Sequence, residues 1–355
     1  MGANVFDRSP AGTRWFFRLR LEDLIALTFF LFTLALHVIV GGLREAAGNP
    51  ADVLIIIPAV ALLLVKELVH YFLNSKEARL ESSGDVREFV RPFWGILRDW
   101  FPFLVILMMY YSLWGDATHL LVTRDRDAQL IAIDQRLFGF QASVAIQRFV
   151  SPPLTAWMQF AYAFHLWNIP LVACFIYICR PRQRFREMMS GLIAVSFFGL
   201  LGYLLVPAIG PMYTLRHLYT VPLAQPLAVF SQQINFMDLA RIRRDCFPSL
   251  HVGMAFVVWL HAWRNSKRLA LILAPLVLSL FVSTVYLRYH YLADCVAGFI
   301  LALVSFWLAN ELSARCGELV LPLRVPPFLR GGRPAPRGLE EFPIHDFRLT
   351  IGKPK

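Results

Sequence analysis

Charge is what this chain has least of. Only 17% of its 355 residues are Asp, Glu, Lys or Arg, 57% are hydrophobic, and the mean hydropathy is +0.54. A soluble domain carries roughly a quarter charged residues, so a polytopic membrane protein is expected instead. The five cysteines (Cys174, Cys179, Cys246, Cys295, Cys316) form no CxxC pair and mostly sit in apolar runs. That argues against a disulfide framework and against a zinc site. No cluster of metal-binding carboxylates is apparent, so neither metal nor other cofactor is expected. No soluble basic and aromatic module is present, which excludes nucleic acid as a partner. Also absent are an internal repeat, an Asn-x-Ser/Thr sequon and a small-residue cleavage site after the first apolar run, so that run should remain as a helix.

What the chain has is long apolar runs. A helix crossing the hydrocarbon core needs about 20 such residues, and eight stretches qualify as candidates: 24–43, 53–73, 100–114, 154–179, 188–207, 251–263, 269–287 and 291–312. With eight spans and the N-terminal tail inside, the inside segments carry 25 Lys and Arg and the outside segments 10. The positive-inside rule then puts both termini in the cytoplasm and the loops at 115–153 and 208–250 outside, with plasma (inner) membrane as the expected location. Amphipathic patches in 115–153 predict helices lying at the interface. The Pro, Gly and Arg of the last stretch predict an extended tail. The expected organisation is a cytoplasmic tail (1–23), two accessory helices with a basic linker (24–94), a catalytic membrane domain (95–312) and a cytoplasmic tail (313–355).

Two stretches carry chemistry. "RRDCFPSLHVGMAF" (243–256) places His251 at the start of the sixth span, and "STVYLRYHYLADCVAG" (283–298) places His290 at the start of the eighth. The sixth and seventh spans are antiparallel and joined by the short turn "RNSKR", so His251 and His290 return to the same outer side. Thirteen helical residues rise about 20 Å against a core of about 30 Å, which recesses His251 roughly 10 Å. Asp294 lies four residues after His290 on the same helix face, where a carboxylate can fix the ring tautomer. Ionisable groups at membrane depth are costly and usually functional, although two unrelated interfacial histidines would have the same spacing. Two histidines, one of them backed by a carboxylate, together with Arg288, Arg243 and Arg244, suit phosphoryl transfer, which is mostly positioning and electrostatic stabilisation. Ser249 precedes a helix N-terminus whose N–H groups favour an anion.

"FPSLH" (247–251) followed by "YLRYHYLAD" (286–294) resembles the second and third signatures of the type 2 phosphatidic acid phosphatase (PAP2) superfamily. "IDQRLFGFQASVAIQRFVSPPLTAWMQFAYAFH" (133–165) and "VPAIGPMY" (206–213) look like its branch of Aur1-type inositol phosphorylceramide synthases. The resemblance implies an all-α transmembrane bundle with a six-helix catalytic core. It implies His290 as the nucleophile forming a phosphohistidine, Asp294 as its orienting group, and His251 as general acid and then base. Ser249 and Arg288 would bind phosphate. The phosphatase signature has Ser-Arg where this chain has Ser283 and Thr284, and the first signature fails at Arg91-Pro92 because position 84 is Gly. Arg216, Arg243 and Arg244 are either phosphate cations or interfacial anchors, and Tyr213 and His217 could line an acceptor site.

The implied activity is transfer of a phosphoryl-containing head group, such as phosphoinositol, from a lipid phosphate or phospholipid donor to a lipid or other alcohol. Hydrolysis by water at the same site, giving a lipid phosphate phosphatase, is the alternative. A transporter or scaffold without turnover is the reading from another class. His70 and His165 read as core histidines. Asp125 and Asp127 could form a metal pair, but the flanking arginines favour a solvated, ion-paired loop.

Overall fold

The computed structural model describes residues 14–41, 50–74, 86–111, 123–224, 244–315 and 319–324. Among them the chain is helical apart from one two-stranded ribbon. The long helices are α1 (Leu21–Gly41), α2 (Pro50–Asn74), α3 (Val86–Tyr111), α4 (Asp127–Phe138), α5 (Pro152–Ala163), α6 (His165–Cys179), α7 (Arg182–Leu205), α8 (Leu250–Asn265), α9 (Lys267–Tyr286) and α10 (Leu292–Arg315). A helix therefore stands at each of the eight apolar stretches, with α5 and α6 sharing one of them. Among the described residues, four helices are long and apolar enough to cross a membrane: the Pro92–Tyr110 part of α3, then α7, α9 and α10. The pair α5 and α6, bent by 46°, makes a fifth if counted as one span. Helix α8 has 16 residues, about 24 Å of rise, which is shorter than the hydrocarbon core.

Helix α7 is the axis of the bundle, packed against α1, α3, α6, α8 and α10. Met188, Met189, Leu192, Ile193 and Val195 on it are fully buried. The outer helices turn apolar side chains outward instead. Leu271, Ile272 and Leu278 on α9 and Ile300, Leu303 and Trp307 on α10 are exposed, apolar faces that suit lipid rather than water. This is an integral membrane protein by composition and by surface.

Small residues set how closely α8 approaches. A Cβ added at Gly202 of α7 would come within 2.2 Å of Pro248, and one at Gly298 of α10 within 2.5 Å of the Ser249 carbonyl. The segment 247–251 is thus wedged between two helices through glycine contacts. Ser266 caps α9, its Oγ accepting from Leu269 N at 3.3 Å, and this keeps the α8–α9 turn to a single residue.

The accessory helices are fastened by buried charge. Arg98 of α3 donates to both carboxylate oxygens of Glu67 on α2, at 3.0 and 2.8 Å. Lys66 pairs with Asp23 of α1, Arg20 pairs with Asp99 at 2.8 Å, and Ser190 of α7 donates to Glu22 at 3.2 Å. Charges this deep are tolerated only when paired and hydrogen-bonded. The strands β1 (Arg14–Leu19) and β2 (Leu319–Arg324) pair antiparallel, with Arg14 opposite Arg324 and Leu19 opposite Leu319. Parts of the two segments expected to be separate cytoplasmic tails therefore run side by side.

Candidate active site

The α8–α9 hairpin returns the chain to the end of the bundle from which α8 started. Helix α9 ends at Tyr286, and the Thr284 carbonyl accepts the N–H groups of Tyr289 and His290, at 3.0 and 3.1 Å. Between them Arg288 adopts φ 68°, a left-handed conformation that costs a non-glycine residue about a kcal/mol or more. That turn swings His290 back against α8. Nε2 of His290 lies 3.4 Å from Nδ1 of His251, and the ring centres are 5.6 Å apart.

The other ring nitrogen of His290 determines the tautomer. Nδ1 lies 2.8 Å from the Cys246 carbonyl oxygen and 3.5 Å from Asp294 Oδ2. A carbonyl only accepts, so Nδ1 carries the proton and Nε2 keeps its lone pair. The nearer orienting group is therefore the Cys246 backbone, with Asp294 behind it. Asp294 Oδ2 also accepts from the Cys246 thiol at 2.9 Å and from Tyr291 N at 2.8 Å, while its Oδ1 is buried with no hydrogen-bond partner among the described residues. Burial and the neighbouring Asp294 push the Cys246 thiol well above its ordinary value, which keeps it a donor. Cys246, His290 and Asp294 bring S, N and O ligand-type atoms within 4.8 Å of one another, the one group among the described residues compact enough to grip a single cation. Their closest side-chain contacts with one another run through Asp294 Oδ2.

The surroundings of His251 are aromatic. Tyr162 of α5 stacks on its ring at 4.8 Å, and Tyr289 stacks on Tyr162 at the same separation. His165, the first residue of α6, tilts against His251 with ring centres 4.9 Å apart. Sequence reading placed His165 in the core, and it is indeed buried. The bend between α5 and α6 is what brings it to the site.

Helix α4 clamps this end of the bundle. Asp127 and Asp134, two turns apart on one face, are both buried. Asp127 accepts from Ile209 N, Gly210 N and the Tyr291 hydroxyl, at 3.0, 2.9 and 2.9 Å. Asp134 accepts from Leu292 N and Ala293 N, at 3.0 and 2.8 Å, and so caps α10 just before Asp294. The expectation of a solvated loop holds only for Asp125, which is paired with Arg244 at 2.6 Å. Asp127 is corrected to a buried backbone clamp.

The remaining sequence-derived residues fall as follows. Ser249 is fully buried and its Oγ caps α8, accepting from Val252 N at 3.4 Å, which leaves its own proton to donate. Arg288 lays its guanidinium over the Tyr219 ring at 3.9 Å and donates to the Val221 carbonyl. Arg244 is engaged with Asp125. Tyr213, Arg216 and His217 stand exposed on the helical turns at 211–218. Arg243 lies outside the described residues, and His70 is half-buried on α2. Sequence reading missed Cys246, Tyr162, Asp134 and Tyr291. The only local signal was the position of Cys246, immediately before "FPSLH".

A largely apolar cavity of about 380 Å³ opens beside the site between the turns at 140–149 and the helices α9 and α10, lined by Phe140, Ile146, Phe281, Cys295 and Phe299, with Arg148 as its charged member.

No curated protein and no solved structure matches this chain. The family description PAP2 superfamily matches residues 128–308, just over half of the chain, including His165, Cys246, His251, His290 and Asp294. The chain belongs to the PAP2 superfamily of phosphatases and phosphotransferases, and it is an integral membrane enzyme of lipid phosphate metabolism.

Proposed function

We propose that this enzyme transfers a phosphoryl-containing head group, phosphoinositol being the Aur1-like case, from a phospholipid donor to a lipid or other alcohol through a phosphohistidine, without a metal ion. The observation that carries the reading is the histidine pair: His290 Nε2, unprotonated because Nδ1–H faces the Cys246 carbonyl, lies 3.4 Å from His251. Nε2 attacks phosphorus as the P–O bond to the leaving alcohol breaks, and His251 supplies the proton that oxygen needs. In the second half an incoming hydroxyl gives its proton to His251, its oxygen attacks phosphorus, and the P–N bond breaks. Asp294 holds the imidazolium-like ring through Nδ1. Ser249 and Arg288 are the groups assigned to the phosphate oxygens, with Arg216, Arg243 and Arg244 as further cations and Tyr213 and His217 toward the acceptor.

The apolar cavity between the 140–149 turns and α9 and α10 supports a lipid substrate, since Leu292 and Cys295 on its wall flank Asp294 in the chain and its lining suits a hydrocarbon chain. We further assign eight spans, a six-helix catalytic core within 95–312, cytoplasmic termini and an active site facing the extracytoplasmic side of the plasma membrane. The excess of Lys and Arg in alternate connections supports that orientation. Water in place of the alcohol would make the same site a lipid phosphate phosphatase.

The test is turnover by purified protein in detergent with EDTA, on phosphatidate, polyprenyl diphosphate and phosphatidylinositol, each with and without a lipid alcohol. A new phospholipid that is absent with His290→Ala is the expected result. Free phosphate lost in that variant would replace transfer by hydrolysis, and silence on every substrate would refute the enzyme mechanism.

A further inference from the structure

Three ligand-type atoms converge behind His290. Cys246 Sγ lies 2.9 Å from Asp294 Oδ2, Oδ2 lies 3.5 Å from His290 Nδ1, and Nδ1 lies 3.8 Å from Sγ. A tetrahedral zinc ion, with bonds of about 2.3 Å to sulfur and about 2.0–2.1 Å to nitrogen and oxygen, sets its ligand atoms about 3.3–3.6 Å apart. The two sides of the triangle that meet at Nδ1 have that length to within about 0.3 Å. The third is drawn in by the thiol hydrogen bond, which is lost when the thiol proton leaves. All three residues are buried. Asp294 Oδ1 is buried as well and has no hydrogen-bond partner among the described residues, an expensive state for a carboxylate oxygen unless something binds it. A divalent ion joined to the Cys246 thiolate and the Asp294 carboxylate makes a neutral cluster, the form in which buried charge is tolerated.

We propose that Cys246, His290 and Asp294 form an inhibitory site for a thiophilic divalent cation of the zinc type, which switches the nucleophile off by taking Nδ1 of His290. The neutral ring has one proton, held on Nδ1 by the Cys246 carbonyl at 2.8 Å. A metal bonds a lone pair, so a metal at Nδ1 leaves the ring proton on Nε2. Nε2–H then stands where the attacking lone pair stood, 3.4 Å from His251, and no P–N bond can form. The exchange balances: one Zn²⁺ enters, the thiol proton goes to solvent, and the ring proton moves from Nδ1 to Nε2. The Cys246 carbonyl, freed of its donor, and Asp294 Oδ1 are the oxygens that can fill the fourth position. Magnesium prefers an octahedron of oxygens and does not fit a set containing sulfur and nitrogen. Inhibition rests on the reading of His290 as nucleophile, whereas the metal site stands without it.

The test adds cobalt(II) alone, as a coloured stand-in for zinc, to the purified full chain in detergent without EDTA. Wild type should show a thiolate-to-cobalt charge-transfer band that zinc abolishes and magnesium does not. Cys246→Ser should lose the band, and the double variant Cys174→Ala/Cys179→Ala, which removes the exposed thiols of α6, should keep it. No band in wild type, or a band that survives Cys246→Ser, overturns the site. NMR of wild type with labelled histidine gives a reading that needs no cysteine variant, the His290 signal being assigned by its loss in His290→Gln. Zinc should convert that ring from the Nδ1–H to the Nε2–H tautomer, and an unchanged tautomer overturns the switch. Turnover of phosphatidate should fall about tenfold or more with zinc. Each protein being compared with its own zinc-free rate, Cys246→Ser should need about tenfold more zinc for the same loss. Equal sensitivity of the two proteins would place the effect on the lipid phosphate and overturn the switch. A wild type without turnover on any lipid would defeat the proposed function and leave the cobalt and NMR results to decide the site.

Discussion

Replacing Asp134 by Ala removes a side chain that touches no substrate yet should damage both stability and catalysis. Asp134 accepts from the first two N–H groups of α10, Leu292 N at 3.0 Å and Ala293 N at 2.8 Å. Helix N-termini leave such donors without an intrahelical partner. Ala293 is buried and Leu292 half-buried, so the first donor is orphaned outright while the second recovers part of its bond from water. At about 1–3 kcal/mol for a buried unmet group, the loss comes to about 2–4 kcal/mol. Asp134→Asn keeps one acceptor and should cost less. The sign with pH follows from burial, which raises the Asp134 carboxyl above 3.8, while the two backbone bonds only partly pull it back. A raised folded value means the stabilisation is complete below 3.8 and is lost as pH rises through the folded value. The advantage of wild type over Asp134→Asn should therefore shrink between pH 4 and neutrality. Chemical denaturation in detergent at several pH values measures this, together with turnover, because α10 also carries Asp294. An Ala variant as stable and as active as wild type would refute the clamp, and an Asn difference that grows with pH would refute the sign.

Arg288→Gly relieves a left-handed residue while removing the contacts to Tyr219 and Val221, so stability should change by less than about 1 kcal/mol while turnover falls at least tenfold. Comparable loss of both would make Arg288 a structural residue. Glu67→Gln leaves Arg98 and Lys66 buried with one acceptor fewer and should cost about 3–5 kcal/mol, read as a lower unfolding midpoint; a neutral result would mean that water reaches the network. Phe299→Ala enlarges the apolar cavity, and Trp in place of Ala142, which also lines it, fills it (Ala142→Trp). The filled variant should raise KM for long-chain lipid phosphates more than for short-chain ones, and equal effects on both would remove the cavity from substrate binding.

The helices were legible because each apolar stretch is long and its ends are marked, Pro152 at the start of α5 and Ser266 at the start of α9. The approach of His251 and His290 was legible for a simpler reason, since a tight turn between two antiparallel helices fixes which ends meet. What was not legible depends on distant segments. Asp127 and Asp134 lie on an amphipathic helix, where acids two turns apart look like a solvated face, and their partners are 82 and 159 residues away. His165 reads as a core residue until the 46° bend between α5 and α6 turns its ring toward α8. The carbonyl of Cys246 leaves no trace in side-chain pattern, so Asp294 was credited with an orienting role that it shares. The ribbon joining residues 14–19 to 319–324 pairs strands three hundred positions apart, beyond the reach of any local periodicity.

The four segments that meet at the histidines, 127–134, 162–165, 246–251 and 288–294, leave the ribosome in that order, with α7 emerging between the second and third. Most of the scaffold around the histidine pair is thus made before His290. A nascent chain stopped between residues 206 and 245 would already carry Asp127, Asp134, Tyr162 and His165, yet neither His251 nor His290. Premature release there leaves the histidine pair unmade, and His251 and His290 come together only once the last helix is being inserted.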